Sequence, residues 1–432
     1  MTAIKNILWK WANNLYPIYR TLMGKGVRES LSYIKEELIQ LEVKSINSGE
    51  NVFDWTIPDE WELLDGYIAD LDGNKIINID DNKLHVVVYS QSVNKIISLR
   101  ELEKKLYSEP NSPAAIPYRT SYYKNDWGFC IAENQRKLFK DEYYKVYINS
   151  KHYPGRLDYG ECLIKGKSKT EIIISTYICH PSLANNEVSG PVVTMALAKW
   201  LYEKEDLYYS YRILFVPETI GSIAYISNNY ESIKKNVKYA IIVTCVGDDR
   251  NYSILSTPDR TSILASLGLN VIRNYARDYN EYDWRERGSD ERQYASPNLR
   301  IPTISLMRTK YGEYPEYHTS LDKLNTVVTP DGLYGGYNIN RLLIEAIEMN
   351  VYPKQLLPCE IFMSKYGLRD SLGGLSSVSQ DWKVISDFLF LSDGRNSLVD
   401  IADKMMMPIW DLYELVILLE KKKIITLKRE MH

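Results

Sequence analysis

Three side chains in the middle of the chain belong to residue types that can perform acid–base or metal chemistry. His180 ends a mainly apolar run that begins at Glu171, Glu218 ends the next such run, and His318 follows the last one. Imidazole is a common metal ligand and titrates near neutral pH. Burial of a strand-end carboxyl group raises its pKa toward that of a general base. We therefore predict that Glu218 is a catalytic base and that the two histidines are metal ligands or acid–base groups.

Acidic residues crowd the loops near these three side chains. Two histidines with several carboxylates suit a zinc-type site that uses a carboxylate base. A carboxylate-rich loop is more often a solvated face, so the spacing leaves both interpretations open. The acidic residues are Glu187, Asp248, Asp249, Asp290, Glu291, Glu313 and Glu316.

The elements that must position these residues alternate between strand and helix. Apolar runs at 171–179, 212–218, 239–246 and 301–307 are separated by helical patterns at 191–204, 261–277 and 331–349. Repeated βα units predict a mainly parallel sheet with helices on both faces. Ligands of such sheets bind at the carboxyl ends of the strands, where His180, Glu218 and Thr244 fall. Ser189 before Pro191 predicts a helix N-cap after a polar loop.

Two further units flank this α/β pattern. Residues 4–41 have helical periodicity, and short strand-like segments with turn signals between about 47 and 168 predict a compact β-rich insertion. Trp55, Trp61 and Trp127 are its predicted core, and His85 is expected to be a satisfied strand histidine. The predicted domains are 1–46 with 169–353 (α/β), 47–168 (inserted β-rich) and 354–432 (winged-helix-like).

The C-terminal unit has three predicted helices and a basic terminal strand. Its third helix, 409–420, carries Asp411, Glu414 and Glu420 and no cation, whereas a helix that enters the major groove presents basic or amide side chains. We therefore do not expect nucleic acid as a partner. A packing or dimerisation module, and hence a homo-oligomer formed through this unit, is the favoured interpretation.

The composition is that of an ordinary globular protein. Hydrophobic residues make up 45%, charged residues 25%, and the net charge is −3, which gives no global attraction to nucleic acid or an anionic membrane. The five cysteines are scattered without CxxC spacing, which is typical of a reducing compartment. No apolar run reaches spanning length and no signal peptide is recognisable, so we expect a cytoplasmic protein without a membrane partner.

Several motifs together resemble a family of uncharacterised bacterial proteins with an aminopeptidase-like domain, and more distantly the co-catalytic zinc aminopeptidases and glutaminyl cyclases. The resemblance covers nearly the whole chain. It implies a zinc-exopeptidase-like α/β fold with an inserted small β-domain and a C-terminal winged helix, in proteins often associated with surface-polysaccharide loci. The motifs are Asp126-Trp-Gly-Phe-Cys130, Ile178-Cys-His-Pro-Ser182, Pro217-Glu-Thr-Ile-Gly-Ser222, Gly288-Ser-Asp-Glu-Arg-Gln293 and Tyr311-Gly-Glu-Tyr-Pro-Glu-Tyr-His318.

The match to the zinc aminopeptidases implies a metal site that is only partly retained. In that family two histidines, a bridging Asp, a Glu and a further Asp hold two metals. His180 and His318 match the histidines, and Glu218 matches the catalytic base. Neutral residues replace acidic ones at Ser182, Asn186, Thr219 and Thr244.

These replacements exclude an intact two-metal centre, because a neutral amide cannot offset the repulsion between two dications. A single zinc remains open, held by His180 and His318 with Asn186, Glu187 or a nearby acid as third ligand.

The first hypothesis is therefore a single-metal hydrolase of an amide or peptide bond, with Glu218 as its base. The predicted substrate-binding residues are Asp290, Glu291, Arg292, Glu313 and Glu316. Its substrate would be a peptide or small molecule, with acidic groups for an amine and Arg292 for a carboxylate. The alternative is a catalytically degenerate protein that binds a small molecule or sugar derivative in surface-polysaccharide biosynthesis. A DNA-binding regulator is the third and least favoured hypothesis.

Overall fold

The computed structural model describes residues 2–368 and 380–430 of the chain. Within those ranges, the α-helices are α1 Thr2–Leu15, α2 Lys25–Glu37, α3 Leu99–Leu102, α4 Ser189–Tyr202, α5 Ile220–Asn236, α6 Ile263–Tyr275, α7 Glu291–Tyr294, α8 Pro330–Met349, α9 Gln380–Leu391, α10 Leu398–Met405 and α11 Ile409–Lys421. The strands are β1 Glu42–Asn47, β2 Asn51–Val52, β3 Trp55–Thr56, β4 Glu60–Ala69, β5 Lys75–Asn78, β6 Val93–Ser98, β7 Leu106–Tyr107, β8 Phe129–Cys130, β9 Tyr143–Tyr153, β10 Arg156–Ile164, β11 Glu171–Tyr177, β12 Ser210–Val216, β13 Val237–Ile242, β14 Ser253–Leu255, β15 Asn280–Tyr282, β16 Thr303–Met307, β17 Tyr352–Gln355 and β18 Ile425–Lys428.

The largest sheet has eight strands in the order β1-β10-β12-β11-β13-β16-β14-β15. Its centre, β12-β11-β13-β16, is parallel, and so is the edge pair β14–β15, while the pairs β1–β10, β10–β12 and β16–β14 are antiparallel. The predicted α/β fold with a mainly parallel sheet is thus confirmed. The parallel centre brings the carboxyl ends of β11 and β12 side by side, and these are the ends that His180 and Glu218 follow.

Alternate residues of the central strands enter two different hydrophobic clusters, because successive strand side chains point to opposite faces. Ile172 and Ile174 of β11 pack with α4, α6 and α8 on one face, whereas Ile173 packs with α5 on the other. Helix α4 lies flat on the strands at Gly190, where a Cβ atom would come 2.4 Å from the Thr176 hydroxyl oxygen. Helices therefore cover both faces, as predicted. Helix α5 was missed because its mixed polar sequence has weak periodicity.

A smaller sheet, β5-β4-β9-β6, forms the centre of the inserted unit. Trp61 is buried there, and His85 is buried with its Nδ1 atom 2.7 Å from the Cys130 carbonyl oxygen. His85 lies in a 3-10 turn instead of the predicted strand. The predicted core position of Trp55 is wrong: its side chain is 37% exposed, because β3 belongs to a separate two-stranded hairpin.

The proposed domain limits remain a prediction. Strand β10 lies within the predicted insertion, 47–168, yet it pairs with β1 and β12 of the large sheet. The chain therefore returns to the large sheet at Arg156, ahead of the expected limit.

The C-terminal unit consists of α9, α10 and α11 with the antiparallel pair β17–β18. Its buried residues continue the hydrophobic cluster of α6 and α8. Parts of the predicted unit 354–432, namely 369–379 and 431–432, lie outside the described residues. Within the described ranges, no helix is long and apolar enough to cross a membrane.

Candidate active site

His180 follows β11 and is held by a buried chain of polar contacts. Its Nδ1 atom lies 3.1 Å from Oε2 of Glu187, and Arg20 Nε donates to Oε1 of the same carboxyl group at 3.1 Å. Arg20 also donates to the His180 carbonyl at 3.2 Å. Burial, and to a smaller extent the charge of Arg20, lower the pKa of His180 to about 3. The imidazole is therefore neutral at pH 7, with Nε2 left to face the cavity.

Glu218 follows β12 and faces His180 across the strand ends. Its Oε2 atom lies 3.6 Å from His180 Nε2, and Ser289 donates a 2.6 Å hydrogen bond to Oε1. Burial raises the pKa of Glu218 to about 8, and the charge of Asp290 adds to the effect. A carboxyl group with this pKa can both accept and return a proton near neutral pH.

The backbone after Glu218 forms a γ-turn with positive φ. Thr219 has φ 63° and ψ −79°, and Ile220 N donates to the Glu218 carbonyl at 2.8 Å. This conformation is rare and strained for a residue other than glycine. Asp290 stabilises it by accepting a 2.7 Å hydrogen bond from Thr219 N, and Arg292 donates to the Thr219 hydroxyl at 3.1 Å.

His318 completes the group from the segment after β16. Its ring centroid lies 5.3 Å from that of His180, and its ring stacks on Tyr317 at 4.0 Å. Burial lowers the pKa of His318 to about 3. Its Nε2 atom is buried and has no hydrogen-bond partner among the described residues. The three residues that the sequence singled out thus lie together, and two of them present a neutral ring nitrogen.

The segment of the inserted unit around Tyr118 covers the two histidines. Tyr118 N donates to the His318 carbonyl at 2.7 Å, and the Tyr118 ring lies 5.2 Å from both imidazole rings. Beneath it is a cavity of about 570 Å³. The cavity is lined by Leu22, Trp55, Tyr118, Arg119, Thr120, Tyr122, Tyr123, Cys179, His180, Glu218, Thr219, Ile220 and His318.

The loop after His180 differs from its predicted conformation. Residues 184–188 form a π-helical turn that runs into α4, so Ser189 is not an N-cap; its hydroxyl donates to the Asn185 carbonyl at 2.5 Å. Asp322 anchors the turn by accepting hydrogen bonds from the backbone nitrogens of Asn185 (2.8 Å) and Asn186 (3.0 Å). The Asn186 amide donates to the Tyr177 hydroxyl at 2.8 Å, and its Oδ1 atom is buried without a partner among the described residues.

Two sets of atoms could accept a cation. The first is Cys179, His180 and Glu187, whose ligand atoms lie within 4.8 Å of one another. Arg20 already neutralises Glu187, and burial raises the pKa of the Cys179 thiol well above its ordinary value. The second is the cavity-facing pair of imidazoles, His180 and His318. The Nε2 atom of His318 has no partner among the described residues, and His180 Nε2 lies 3.6 Å from the Glu218 carboxyl group. Among the described residues, however, no group of three ligand atoms that includes both imidazoles lies within 4.8 Å.

The predicted substrate-binding residues do not gather in the cavity. Glu291 accepts hydrogen bonds from the backbone nitrogens of Gly288 and Ser289 and from the Tyr311 hydroxyl. Glu316 pairs with Arg250, and the exposed Glu313 lies 3.8 Å from Lys310. Asp290 and Arg292 contact Thr219, which does line the cavity, but neither is itself a lining residue.

Sequence reasoning missed Arg20, Tyr118, Ser289 and Asp322. Arg20 and Tyr118 lie far from the strand ends in sequence, so no local pattern links them to His180. Asp322 lies four residues after His318, so its acidic side chain could have been recognised from the sequence as a candidate site residue. Burial raises its pKa to about 6.

Residues 9–350 match the family DUF4910, a domain of unknown function, and residues 351–427 match a winged helix-turn-helix family. The chain belongs to the DUF4910 family. A Clostridium acetobutylicum protein, provisionally named a polysaccharide biosynthesis protein with an aminopeptidase-like domain, is 39% identical over 398 residues, which are 92% of this chain and 91% of that protein. The resemblance derived from the motifs is confirmed.

Solved structures extend the likeness. A crystal structure from Clostridium acetobutylicum, provisionally described as a peptidase, has a TM-score of 0.88 at 36% identity and covers 98% of this chain and 96% of its own. A zinc aminopeptidase of Bacillus subtilis has a TM-score of 0.56 at 14% identity, with 79% of this chain and 93% of its own covered. The second comparison establishes a shared aminopeptidase-like fold and does not extend to activity.

Proposed function

We propose that this protein is a hydrolase of amide bonds, with an aminopeptidase-like domain and with Glu218 as its proton-transfer group. The observation that carries the proposal is the position of the Glu218 carboxyl group. It lines the same cavity as two neutral imidazoles, lies 3.6 Å from His180 Nε2 and accepts a hydrogen bond from Ser289, and burial raises its pKa to about 8.

In the proposed reaction Glu218 removes a proton from water while the water oxygen forms a bond to the amide carbonyl carbon. The carbon–nitrogen bond then breaks, and the same carboxyl group delivers the proton to the leaving nitrogen. The products are a carboxylate and an amine. Ser289 orients the carboxyl group through its 2.6 Å hydrogen bond.

A single zinc ion is part of the proposal. The unpartnered Nε2 atom of His318 and the cavity-facing Nε2 of His180 support these two residues as its ligands. Asn186 and Glu187 are the expected candidates for a third ligand, and the unpartnered Oδ1 atom favours Asn186, because Glu187 is paired with Arg20. Bound zinc would polarise the amide carbonyl.

The test compares wild type with Glu218→Gln and with the matched control Glu316→Gln, whose side chain pairs with Arg250 outside the cavity. We expect Glu218→Gln to lower the hydrolysis rate of aminoacyl anilides or N-acyl amines at least about 100-fold, and the control to leave it unchanged. Metal content is measured on protein purified without a polyhistidine tag, with His318→Ala for comparison. Unchanged hydrolysis in Glu218→Gln contradicts the proposal.

The second candidate is a protein that binds a sugar derivative without turning it over. Two observations favour it: acidic ligands of the aminopeptidase pattern are replaced by neutral residues at Asn186 and Thr219, and aromatic side chains line the cavity. The relative named for polysaccharide biosynthesis supports the same ligand class. Sugar binding without hydrolysis of aminoacyl anilides or of N-acyl amines would favour this candidate over the first.

We further propose a reducing, cytoplasmic setting for the protein, because all five cysteines are free thiols. The C-terminal unit supports a homo-oligomer interface more than nucleic-acid binding. Before its last residue, the exposed Lys421, the exposed residues of α11 are acidic or apolar: Asp411, Glu414, Ile417, Leu418 and Glu420.

A further inference from the structure

The cavity is lined by one acidic and one basic side chain. Among the described residues that line it, Glu218 carries the single carboxyl group, and Arg119 carries the single guanidinium group, which is already paired with Glu109 at 3.0 Å. The Glu218 carboxyl group already accepts a hydrogen bond from Ser289 and lies 3.6 Å from His180 Nε2. A substrate with a protonated α-amine needs an anionic partner when it leaves water, since an unpaired buried charge is costly.

The neighbouring acids do not supply that partner. Asp290 is 1% exposed and directed at the Thr219 backbone, and Glu291 is 5% exposed and bonded to the Gly288–Ser289 backbone. Glu313 and Glu316 are placed against Lys310 and Arg250. The cavity therefore suits a substrate that carries no charged amine next to the amide bond that is cleaved.

The mouth of the cavity presents two exposed aromatic side chains. Trp55 is 37% exposed and Tyr123 is 56% exposed, with ring centroids 6.0 Å apart and planes at 62°. The Tyr123 hydroxyl donates to the Thr56 carbonyl at 3.0 Å, which ties its ring to the β2–β3 hairpin. Exposed aromatic surface beside a cavity marks a binding site for a ligand with an apolar face.

Hydroxyl groups supply the polar part of the same surface. The Tyr118 and Tyr122 hydroxyls lie 3.2 Å apart, and Thr120 and Thr219 line the cavity beside them. A pyranose ring matches this arrangement, because its C–H faces are apolar and its edges carry hydroxyl groups. The volume of about 570 Å³ accommodates a small oligosaccharide.

We propose that the substrate of this site is an N-acylated amino sugar, with a ring packed on Trp55 and Tyr123 and its acylamide directed to Glu218. The proposal rests on the amide hydrolysis proposed above. Water adds to the acyl carbon, the bond from that carbon to the sugar nitrogen breaks, and the products are a carboxylate and a free amino sugar.

The experiment measures binding and turnover separately in the full-length protein. Isothermal titration is performed with chitobiose and chitotriose, which carry N-acetyl groups, and with cellobiose, which lacks them. Acetate release from the first two is compared with hydrolysis of an alanyl anilide, which has a free amine. The variants are Trp55→Leu, Tyr123→Leu and the matched control Phe53→Leu, which removes an exposed aromatic ring of the same hairpin that packs on Tyr230 outside the lining.

We expect the N-acetylated sugars to bind more tightly than cellobiose. Each of Trp55→Leu and Tyr123→Leu is expected to raise their Kd about two- to tenfold, and Phe53→Leu to leave it unchanged. Absent binding of both N-acetylated sugars, or equal weakening in all three variants, overturns the inference. Hydrolysis of the anilide in preference to the sugars overturns it too, but upholds the proposed hydrolase. Ring-dependent sugar binding with neither release of acetate nor hydrolysis of the anilide overturns the inference that the sugar is a substrate and contradicts the proposed hydrolase.

Discussion

At the scale of single residues, the orientation of His180 depends on a charge that lies far away in sequence. Glu187 contacts His180 on one side and Arg20 on the other, and both members of the ion pair are at most 2% exposed. Burial acts to raise the pKa of Glu187, whereas the charge of Arg20 and the hydrogen bonds to the carboxyl group act to lower it and favour the ionised form. A carboxyl group that fixes one ring nitrogen of a histidine directs the other nitrogen toward the reaction site.

The Arg20–Glu187 pair gives a prediction for stability. Glu187→Gln should lower the free energy of unfolding by about 3–5 kcal/mol, because it leaves a buried guanidinium group without a counter-charge. Urea denaturation measures this loss, and the double variant Arg20→Met/Glu187→Leu should recover part of it. Asp206→Asn, which breaks an exposed pair with Lys167, is the control and should change stability by less than about 0.5 kcal/mol. A loss of similar size in both single variants contradicts the prediction.

The sequence was sufficient to predict His180, Glu218 and His318, because all three follow strands of one parallel sheet. It was not sufficient for Arg20 and Tyr118. Arg20 lies between two helices whose periodicity identifies only their buried faces, and Tyr118 lies in a loop of the inserted unit. Their contacts with the histidines depend on how separate segments pack, and this information is not present in local spacing.

At the scale of elements, the turn 218–220 and the segment 288–292 are joined by hydrogen bonds and together position the Glu218 carboxyl group. The strained backbone at Thr219 directs Glu218 into the cavity, and Asp290 holds that strain through a single hydrogen bond to the backbone. Asp290 is therefore a positioning residue in our interpretation, although the sequence suggested a role in substrate binding.

We predict that Asp290→Ala lowers kcat about tenfold or more and changes KM little, because the Glu218 carboxyl moves away from its reactive position. Adding Thr219→Gly should restore part of the stability, since glycine adopts positive φ without strain. Steady-state kinetics and thermal unfolding measure the two effects, with Glu313→Gln as an exposed acidic control. A variant that raises KM alone would instead support direct substrate binding by Asp290.

The buried His85 makes the stability of the inserted unit depend on pH. Burial lowers the pKa of His85 below its ordinary value near 6.5, so the unfolded chain binds the proton more readily than the folded one. Unfolding free energy should therefore fall as pH drops below about 6.5. His85→Asn retains a donor for the Cys130 carbonyl but does not titrate, and it should lose less stability between pH 7.5 and 5.5 than wild type. The partly exposed His152→Asn is the comparison, and an equal effect in both variants would contradict a specific contribution from His85.

At the scale of the whole molecule, the site is assembled from three parts of the chain. Arg20 comes from the N-terminal helical segment, Tyr118 from the inserted unit and Glu218 from the large sheet. No described residue of the C-terminal unit lines the cavity, and the buried face of this unit packs on α6 and α8. Asn270 of α6 links the two units. Its amide donates to Asp403 (2.8 Å) and to the Met407 carbonyl (3.1 Å), and it accepts from Ile409 N at 3.0 Å.

Asn270→Leu should therefore loosen the C-terminal unit without affecting the active site. The change leaves the buried Ile409 N–H and Met407 carbonyl without partners, which costs about 1–3 kcal/mol for each group. Hydrogen exchange should become faster in residues 398–421 and stay unchanged near His180 and Glu218, because local opening follows the stability of each cooperative unit. Asn274→Leu, on the same helix, is the control and should leave exchange in 398–421 unchanged, since among the described residues its side-chain amide donates to the Asn270 carbonyl alone. Faster exchange throughout the chain would mean that the C-terminal unit and the α/β unit unfold as one cooperative body.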